Sequence, residues 1–200
     1  MMRRSDLTGI VIAGGKSLRM GAEKGLISFG GKPLITYPIG VLNEVCKQVI
    51  ISANSHSYDF LGLPVIADHI PGGGPMTGIY SGLLASVTDY DLILSCDMPM
   101  ITVALLQHLI ASAAESRAAV AFHKGFAEPL CGIYHRSLAT ELESHISAGK
   151  FKLVSFLEEI GTHFVEIDES LPFYHPDLFL NVNTPQDVEI GKKLLFTGLR

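Results

Sequence analysis

The residues best suited to chemistry follow the first apolar run of the chain, Leu7–Ala13. This run ends at the pair Gly14-Gly15, and three cations come soon after it: Lys16, Arg19 and Lys24. Glycines allow the backbone to approach an anion closely and to direct N–H groups at it. Lysine and arginine offset phosphate charge. The segment therefore indicates a site for a ligand that carries phosphates.

Two common phosphate-binding loops do not fit this spacing. A Walker A loop that ended in Gly15-Lys16-Ser17 would need a glycine at the position of Ile10. A later Gly31-Lys32 pair is followed by Pro33, which has no hydroxyl group for magnesium. No G-x-G-x-x-G sequence follows the first apolar run, so a dinucleotide-binding loop of that type is excluded as well.

Polar side chains also end three later apolar runs, at Asn54, Asp68 and Asp97. In open α/β sheets, ligands bind beyond the carboxyl ends of the strands. Magnesium in proteins is commonly held by one or two carboxylates together with phosphate oxygens, and a carboxylate that ends an apolar strand needs a cation or donors. We therefore predict that Asp97 binds a metal ion. The alternative at Asn54 and Asp68 is ordinary turn chemistry, and the alternative at Asp97 is a structural N-cap of the turn that follows.

The elements that would position these residues alternate along the chain. Short runs rich in valine and isoleucine predict strands: Leu7–Ala13, Gln48–Asn54, Val65–Asp68, Asp91–Asp97, Ala118–His123, Leu130–Tyr134, His163–Asp168 and Leu178–Asn183. Segments of helical period lie between them: Pro33–Val45, Pro75–Val87, Thr102–Glu115, Ser137–Ala148, Lys152–Ile160 and Pro185–Leu195. This pattern predicts the α/β class, as a three-layer α/β/α sandwich with a mainly parallel sheet in one domain over residues 1–200.

Composition narrows the classes of partner. The 200 residues carry a net charge of −5 without a basic cluster, which argues against binding a nucleic-acid polymer. No apolar stretch is long enough to span a membrane. The three cysteines form no C-x-x-C pair and the eight histidines do not cluster, so zinc is not expected. With no signal-peptide core after the start, we expect reduced thiols and a cytoplasmic location.

The glycine-rich segment resembles a known family. Ile12–Lys24 is similar to L-A-G-G-x-S-x-R-M-G-x-D-K, the signature of the nucleotidyltransferases of molybdopterin guanine dinucleotide synthesis, with Ile12 for Leu and Glu23 for Asp. Cys96-Asp97-Met98-Pro99 matches their C-D-x-P segment, and Gly74–Ile79 resembles their G-P-L-A-G-[IM], with Met76 and Thr77 as departures. The resemblance extends over about residues 8 to 195.

The resemblance implies roles for individual residues. Arg19, Lys24 and Asp97 would be catalytic, with Asp97 holding Mg²⁺, or alternatively Mn²⁺. The implied nucleotide-binding residues are Ile12, Ala13, Gly14, Gly15, Lys24, Asn54, Asp68, Gly78 and Asp97. The acceptor-binding residues are expected in two further segments that resemble the family, and they are Glu128, Pro129, Leu130, Asn181 and Asn183. The two asparagines are expected to alternate on one face of a strand and to point into the cleft.

The function implied by the resemblance is transfer of GMP from GTP to the terminal phosphate of molybdopterin. GTP and molybdopterin would be the substrates, and proteins of cofactor synthesis or molybdoenzyme maturation are candidate partners. A cytidylyltransferase on the same cofactor, or a nucleotidyltransferase with another small acceptor, is an alternative. Related cytidylyltransferases tend to have A-A-G where this chain has Ala13-Gly14-Gly15. A non-catalytic nucleotide-binding module is an alternative from another class.

Overall fold

The structure, a computed structural model, describes residues 2–14, 16–17, 22–113 and 116–196. Its centre is a seven-stranded sheet in the order β11-β9-β10-β8-β1-β6-β7. The strands of this sheet are β1 (Leu7–Ile12), β6 (Gln48–Ser52), β7 (Val65–Ile66), β8 (Tyr90–Ser95), β9 (Ala118–His123), β10 (Phe126–His135) and β11 (His163–Glu166). Four short strands form two small ribbons outside it: β2 (Lys16–Ser17), β3 (Ala22–Glu23), β4 (Ser28–Phe29) and β5 (Lys32–Pro33).

The sheet is mainly parallel, as predicted. Strand β1 lies between β6 and β8 and is parallel to both, with Ile10 opposite Ile50 on one side and Ile93 on the other. Strands β7 and β11 are also parallel to their neighbours, β6 and β9. Strand β10 is the exception, because it runs antiparallel to both β8 and β9. The carboxyl ends of β1, β6, β7 and β8 therefore meet at one edge.

Helices cover both faces of the sheet. The α-helices are α1 (Thr36–Val45), α2 (Pro75–Ala85), α3 (Val103–Ser112), α4 (Ala139–Ser147), α5 (Leu153–Glu159) and α6 (Pro185–Phe196). Helices α1 and α3 pack against one face, and α2, α4 and α5 pack against the other. Along β1, Val11 and Ala13 face the first layer, whereas Ile10 and Ile12 face the second. This alternation explains why the strands are apolar on both faces. The predicted three-layer α/β/α fold is confirmed.

The predicted strand Leu178–Asn183 is wrong. The structure has turns and irregular backbone there. Leu178 and Val182 are buried, as their apolar character indicated, but the backbone groups of the segment do not form a ladder. The N–H of Leu178 donates to His175 O at 3.0 Å, and that of Val182 donates to Asp97 O at 2.9 Å. Apolar side chains favour burial in a turn as well as in a strand, so the pattern alone could not distinguish the two.

Candidate active site

The candidate catalytic residues meet where β8 ends. Asp97 lies in the turn after β8, and Lys24 begins a short 3₁₀ helix, Lys24–Leu26, that follows the glycine-rich segment. The ammonium group of Lys24 donates to Asp97 Oδ2 and to Asn183 Oδ1. The Asp97 side chain is only 7% exposed and that of Lys24 is 21% exposed. Three residues that are distant in sequence therefore form one polar cluster, which we call the Lys24 cluster.

Backbone hydrogen bonds around Asn183 hold its side chain in the Lys24 cluster. The bond from Val182 N to Asp97 O joins its segment to the end of β8. Asp187 Oδ2 accepts from Asn183 N at 2.9 Å and from Thr184 N at 2.7 Å. Asp187 is thus a supporting residue that sequence reasoning did not select. Its position in the first turn of α6 could have indicated this role from the sequence, because acidic residues there accept hydrogen bonds from the free backbone N–H groups.

Asn181 does not join Asn183 in the Lys24 cluster. Its side-chain amide donates to Phe179 O at 3.2 Å, which is a contact within its own turn. The expectation that both asparagines share one face of a strand is therefore wrong, because the strand that would alternate them is not formed.

Asp97 has the features expected of a residue that holds a cation. Its Oδ1 atom is buried and has no hydrogen-bond partner among the described residues. A buried carboxylate oxygen without a partner is costly unless a cation or donor meets it. Its Oδ2 atom accepts a hydrogen bond from the Lys24 ammonium group, so the surroundings of this carboxylate already accommodate a positive charge. Within the described ranges no three His, Cys, Asp or Glu side chains gather to hold a metal. A cation at Asp97 would therefore depend on phosphate oxygens for further ligands.

A cavity of about 240 Å³ opens at the carboxyl ends of β1, β6 and β7. It is lined by Ile12, Gly14, Ser52, Asn54, Asp68, Gly72, Gly74 and Gly78. Five of the predicted nucleotide-binding residues are in this set: Ile12, Gly14, Asn54, Asp68 and Gly78. Ser52 was not predicted. The sequence could have indicated Ser52, because it is a polar residue at the end of the same apolar strand and precedes Asn54 by two positions.

Asn54 and Asp68 form a reciprocal pair at the mouth of the cavity. The Asn54 amide donates to Asp68 Oδ2 at 2.7 Å, and the backbone N–H of Asp68 donates to Asn54 Oδ1 at 2.7 Å. This pair joins the ends of two neighbouring strands, β6 and β7. Asp68 is left with a second carboxylate oxygen, which can accept hydrogen bonds from a ligand.

Helix α2 lies so close to the ends of β1 and β6 that only a glycine fits at position 78. A Cβ at this position would lie 2.9 Å from Ser52 Oγ and 3.4 Å from Ile12 Cδ1. Because Gly78 has no side chain, helix α2 can lie close to the ends of β1 and β6. This close approach is the physical reason for a glycine in the Gly74–Ile79 motif.

The remaining predicted nucleotide residues lie at or near the end of β1. Ala13 is buried, and its N–H donates to Ser52 O at 2.9 Å, so its backbone fixes the strand end that precedes Gly14. Gly14 is exposed at that end. Gly15 and Arg19 lie outside the described residues.

The predicted acceptor residues of β10 divide into two kinds. Burial, and then the nearby charge of Asp97, raises the pKa of Glu128, so this carboxyl group lies near the Lys24 cluster. In contrast, Pro129 O accepts from the Tyr134 hydroxyl at 2.6 Å, and Leu130 packs against the core under α2, α4 and α5. Of the three, Glu128 is the residue best placed to meet a second substrate.

The sequence matches the model of the MobA-like NTP transferase domain over residues 9–163. The chain belongs to this family. Its membership makes the chain a nucleotidyltransferase, an enzyme class that generally uses a divalent metal ion. No helix in the described part of the chain is both long and apolar enough to cross a membrane.

A similar protein and a similar crystal structure agree with membership of this family. The chain is 35% identical over 192 residues to a molybdenum cofactor guanylyltransferase of Yersinia pestis, with 94% of this chain and 96% of that protein covered. It is similar to the crystal structure of molybdopterin-guanine dinucleotide biosynthesis protein A from Archaeoglobus fulgidus, with a TM-score of 0.81 and 25% identity over 95% of this chain and 99% of that one.

A more distant structure shares the fold alone. The crystal structure of 2-C-methyl-D-erythritol 4-phosphate cytidylyltransferase from Thermus thermophilus has a TM-score of 0.70 at 14% identity, covering 94% of this chain and 98% of that one. The same architecture thus occurs in an enzyme whose name specifies another acceptor and another base, so the fold by itself does not determine either.

Proposed function

We propose that this protein transfers GMP from GTP to the terminal phosphate of molybdopterin and releases pyrophosphate. The observation that carries the proposal is the Lys24 cluster, which lies at the same edge of the sheet as the cavity lined by Asn54 and Asp68. The relative from Yersinia pestis and the neighbour from Archaeoglobus fulgidus carry names of this activity.

The reaction is a direct displacement at the α-phosphorus of GTP. An oxygen of the acceptor phosphate forms a new bond to this phosphorus, and the bond from the α-phosphorus to the oxygen that bridges to the β-phosphorus breaks. Pyrophosphate leaves with the bonding electrons. The attacking oxygen is already ionised at neutral pH, so no general base is needed. Such a reaction depends on positioning and on charge neutralisation.

Lys24 and Asp97 provide the charges for this step. Asp97 would hold the Mg²⁺ ion, which supplies positive charge beside the phosphates when it is bound. Lys24 would offset the charge that develops on the leaving pyrophosphate. Arg19 is proposed to assist it, and Gly14 and Gly15 are proposed to direct backbone N–H groups at the triphosphate.

Asp68 provides a reason to favour guanine over cytosine. Guanine presents two neighbouring donors, N1–H and the 2-amino group, on one edge of the base. The corresponding edge of cytosine presents the acceptors N3 and O2. A carboxylate accepts hydrogen bonds and cannot donate them when it is ionised. Asp68, held by Asn54 at the mouth of the cavity, therefore suits guanine and disfavours cytosine.

Glu128 is the proposed contact to the acceptor. It is half-buried near Asp97, on the side of the Lys24 cluster formed by β10. The pterin ring of molybdopterin carries N–H and amino donors that a carboxylate can accept. Asn183 would position Lys24 and thereby contribute at the junction of the two substrates.

The test is a transfer assay with molybdopterin, Mg²⁺ and either GTP or CTP. We expect release of pyrophosphate and formation of the guanine dinucleotide with GTP, at a rate at least tenfold higher than with CTP. A preference for CTP would favour the cytidylyltransferase alternative. Binding of a nucleotide without any pyrophosphate release would favour the non-catalytic module and would overturn the proposal.

A further inference from the structure

Two hydroxyl groups on helix α2 form hydrogen bonds with the loop that carries Asp68. Thr77 and Ser81 are four positions apart, and this spacing places them on the same face of the helix. Both are buried, with exposures of 0% and 3%. The loop between β7 and α2, residues 67–74, lies against this face. Buried hydroxyl groups need hydrogen-bond partners, and the partners of both are found on this loop or on the helix itself.

Ser81 is bonded to the start of the loop. Its Oγ accepts from the backbone N–H of His69 at 2.7 Å and donates to Thr77 O at 2.8 Å, one turn earlier in the helix. His69 directly follows Asp68, whose own N–H is held by the Asn54 side chain. Two consecutive backbone N–H groups are thus fixed by side chains from two different elements, one from the segment that follows strand β6 and one from helix α2.

Thr77 is bonded to the end of the loop. Its hydroxyl donates to Gly74 O at 2.8 Å, and its methyl group occupies the space that a Cβ at Gly73 would need. Gly72 and Gly74 have φ angles of 92° and 61°, in a region that other residues rarely adopt. A loop that contains three consecutive glycines has high conformational freedom, so external contacts are needed to hold it in one conformation.

We infer that Thr77 and Ser81 are positioning residues that hold the loop of residues 67–74 so that Asp68 meets the base of the nucleotide. Neither side chain lines the cavity, so neither is expected to touch the ligand. Their effect passes through the backbone of His69 and Gly74 to Asp68 and to the glycines of the cavity wall. This inference rests on the proposed nucleotide site. It also gives a role to Thr77, which departs from the alanine of the family's motif.

The test compares variants that remove one hydroxyl group each. Ser81→Ala removes the bond to His69, and Thr77→Val removes the bond to Gly74 while keeping the branched shape. We expect each to weaken GTP binding and raise the KM for GTP about 3- to 10-fold, with kcat within about twofold of the parent protein. This size corresponds to the loss of one hydrogen bond. Thr77→Ser keeps the hydroxyl group and is expected to retain affinity within about twofold.

Ser86→Ala is the matched control for Ser81→Ala. Ser86 is also 3% exposed, and it lies at the far end of α2, where it is bonded to Thr88. Its loss is expected to lower thermal stability without changing the KM for GTP. Normal GTP affinity in both Ser81→Ala and Thr77→Val, or an equal loss in Ser86→Ala, would overturn the inference. If Ser81→Ala does not fold, Thr77→Val and Thr77→Ser decide the question.

The proposed function can fail separately from this inference. GTP binding is measured without acceptor, so a parent protein that binds GTP but transfers nothing to molybdopterin would overturn the guanylyl transfer. In that case the comparison of the hydroxyl variants would still report on the loop.

Discussion

Two buried aspartates lie near opposite ends of strand β8, and their surroundings differ. Asp97, just beyond the carboxyl end, forms an ion pair with Lys24 and lies in the candidate active site. Asp91, at the amino end, is 0% exposed, and neither of its oxygens has a hydrogen-bond partner of normal geometry among the described residues. Burial raises the pKa of Asp91 to about 8, although the Ser86 hydroxyl and the charge of Arg136 act in the opposite direction.

The different surroundings of Asp91 and Asp97 give the two carboxyl groups of one strand different charge states and different expected roles. The buried Asp91 forms no ion pair with a described residue, and it is mainly protonated and neutral at pH 7 because desolvation penalises the charged form more than the charge of Arg136 favours it. Asp97 has a cation beside it and a second oxygen without a partner, so its environment suits an ion. We therefore expect Asp97 to matter for turnover and Asp91 for the pH dependence of stability.

The largest expected effect comes from breaking the ion pair at the active-site end. Asp97→Asn or Lys24→Ala should lower the rate of GMP transfer by about 100- to 1000-fold, the usual cost of losing one charge-stabilising contact in a transition state. The measurement is pyrophosphate release at saturating GTP and Mg²⁺. Asp91→Asn, the matched change at the other end of the strand, should keep kcat within about twofold. Near-normal transfer by Asp97→Asn would remove Asp97 from the metal-binding role.

The second prediction concerns the pH dependence of stability due to Asp91. Its pKa in the folded state lies above the ordinary value of 3.8, so its protonation favours folding. This contribution is complete below pH 3.8 and is lost as the pH rises towards 8. Asp91→Asn should therefore be more stable than the parent protein, and its advantage should grow by on the order of 3 kcal/mol between pH 5 and pH 8.

Urea unfolding at several pH values measures this difference. Glu169→Gln is the control, because it removes one negative charge from an exposed position away from the buried end of β8, and its stability should follow that of the parent protein. An Asp91→Asn protein whose stability follows the parent protein in parallel from pH 5 to pH 8 would show that Asp91 is not protonated in the folded state.

A smaller effect is expected at Glu128, which lies near Asp97 but outside the Lys24 cluster. Glu128→Gln should raise the KM for molybdopterin about tenfold, since a hydrogen bond to a charged group is replaced by a neutral one. GTP affinity should be unchanged and the effect should fall on the KM for the acceptor, whereas Asp97→Asn and Lys24→Ala should lower the rate at saturating GTP. The measurement is initial rate against acceptor concentration at fixed GTP. An unchanged KM for the acceptor would place the second substrate elsewhere.

The smallest effect is expected for the chemical reactivity of Cys46 and Cys96, the thiols near Asp91 and Asp97. Burial, and then the charge of Asp91, raises the pKa of Cys46 to about 12, and burial with the charge of Asp97 does the same for Cys96. Because the thiolate is the reactive form, neither thiol should react detectably with iodoacetamide in the folded protein at pH 8. Mass spectrometry after labelling with and without urea is the measurement. Rapid labelling of Cys96 alone would indicate that the active-site end opens.

Local patterns in the sequence predicted much of the candidate site. The apolar run before Asp97 indicates a buried strand, and a polar residue at the end of such a strand falls at the ligand-binding edge of a parallel sheet. The same argument selected Asn54 and Asp68, which line one cavity in the structure. The roles of these residues in nucleotide and metal binding remain predictions.

Other features had no local signal. The run Leu178–Asn183 has the apolar character of a strand but forms turns, because its side chains can be buried there without a neighbouring strand to pair with. Thr77 and Ser81 could not be interpreted from sequence, since their partners lie on a loop whose path depends on the packing of helix α2 against the sheet.

Patterns along the sequence predicted the helices and the strands of the central sheet, the burial of that sheet on both faces, and the polar residues that follow its strands, although they also predicted a strand at Leu178–Asn183 that does not form. Side-chain period and composition decide these features within a few residues of chain. Packing between distant segments sets the antiparallel direction of β10 beside β8 and brings Asn183 to Lys24 across 159 positions. The same packing gives Asp97 an ion pair with Lys24, whereas Asp91 forms no ion pair with any described residue. These outcomes depend on contacts between distant segments, which form only when both faces of the sheet are packed.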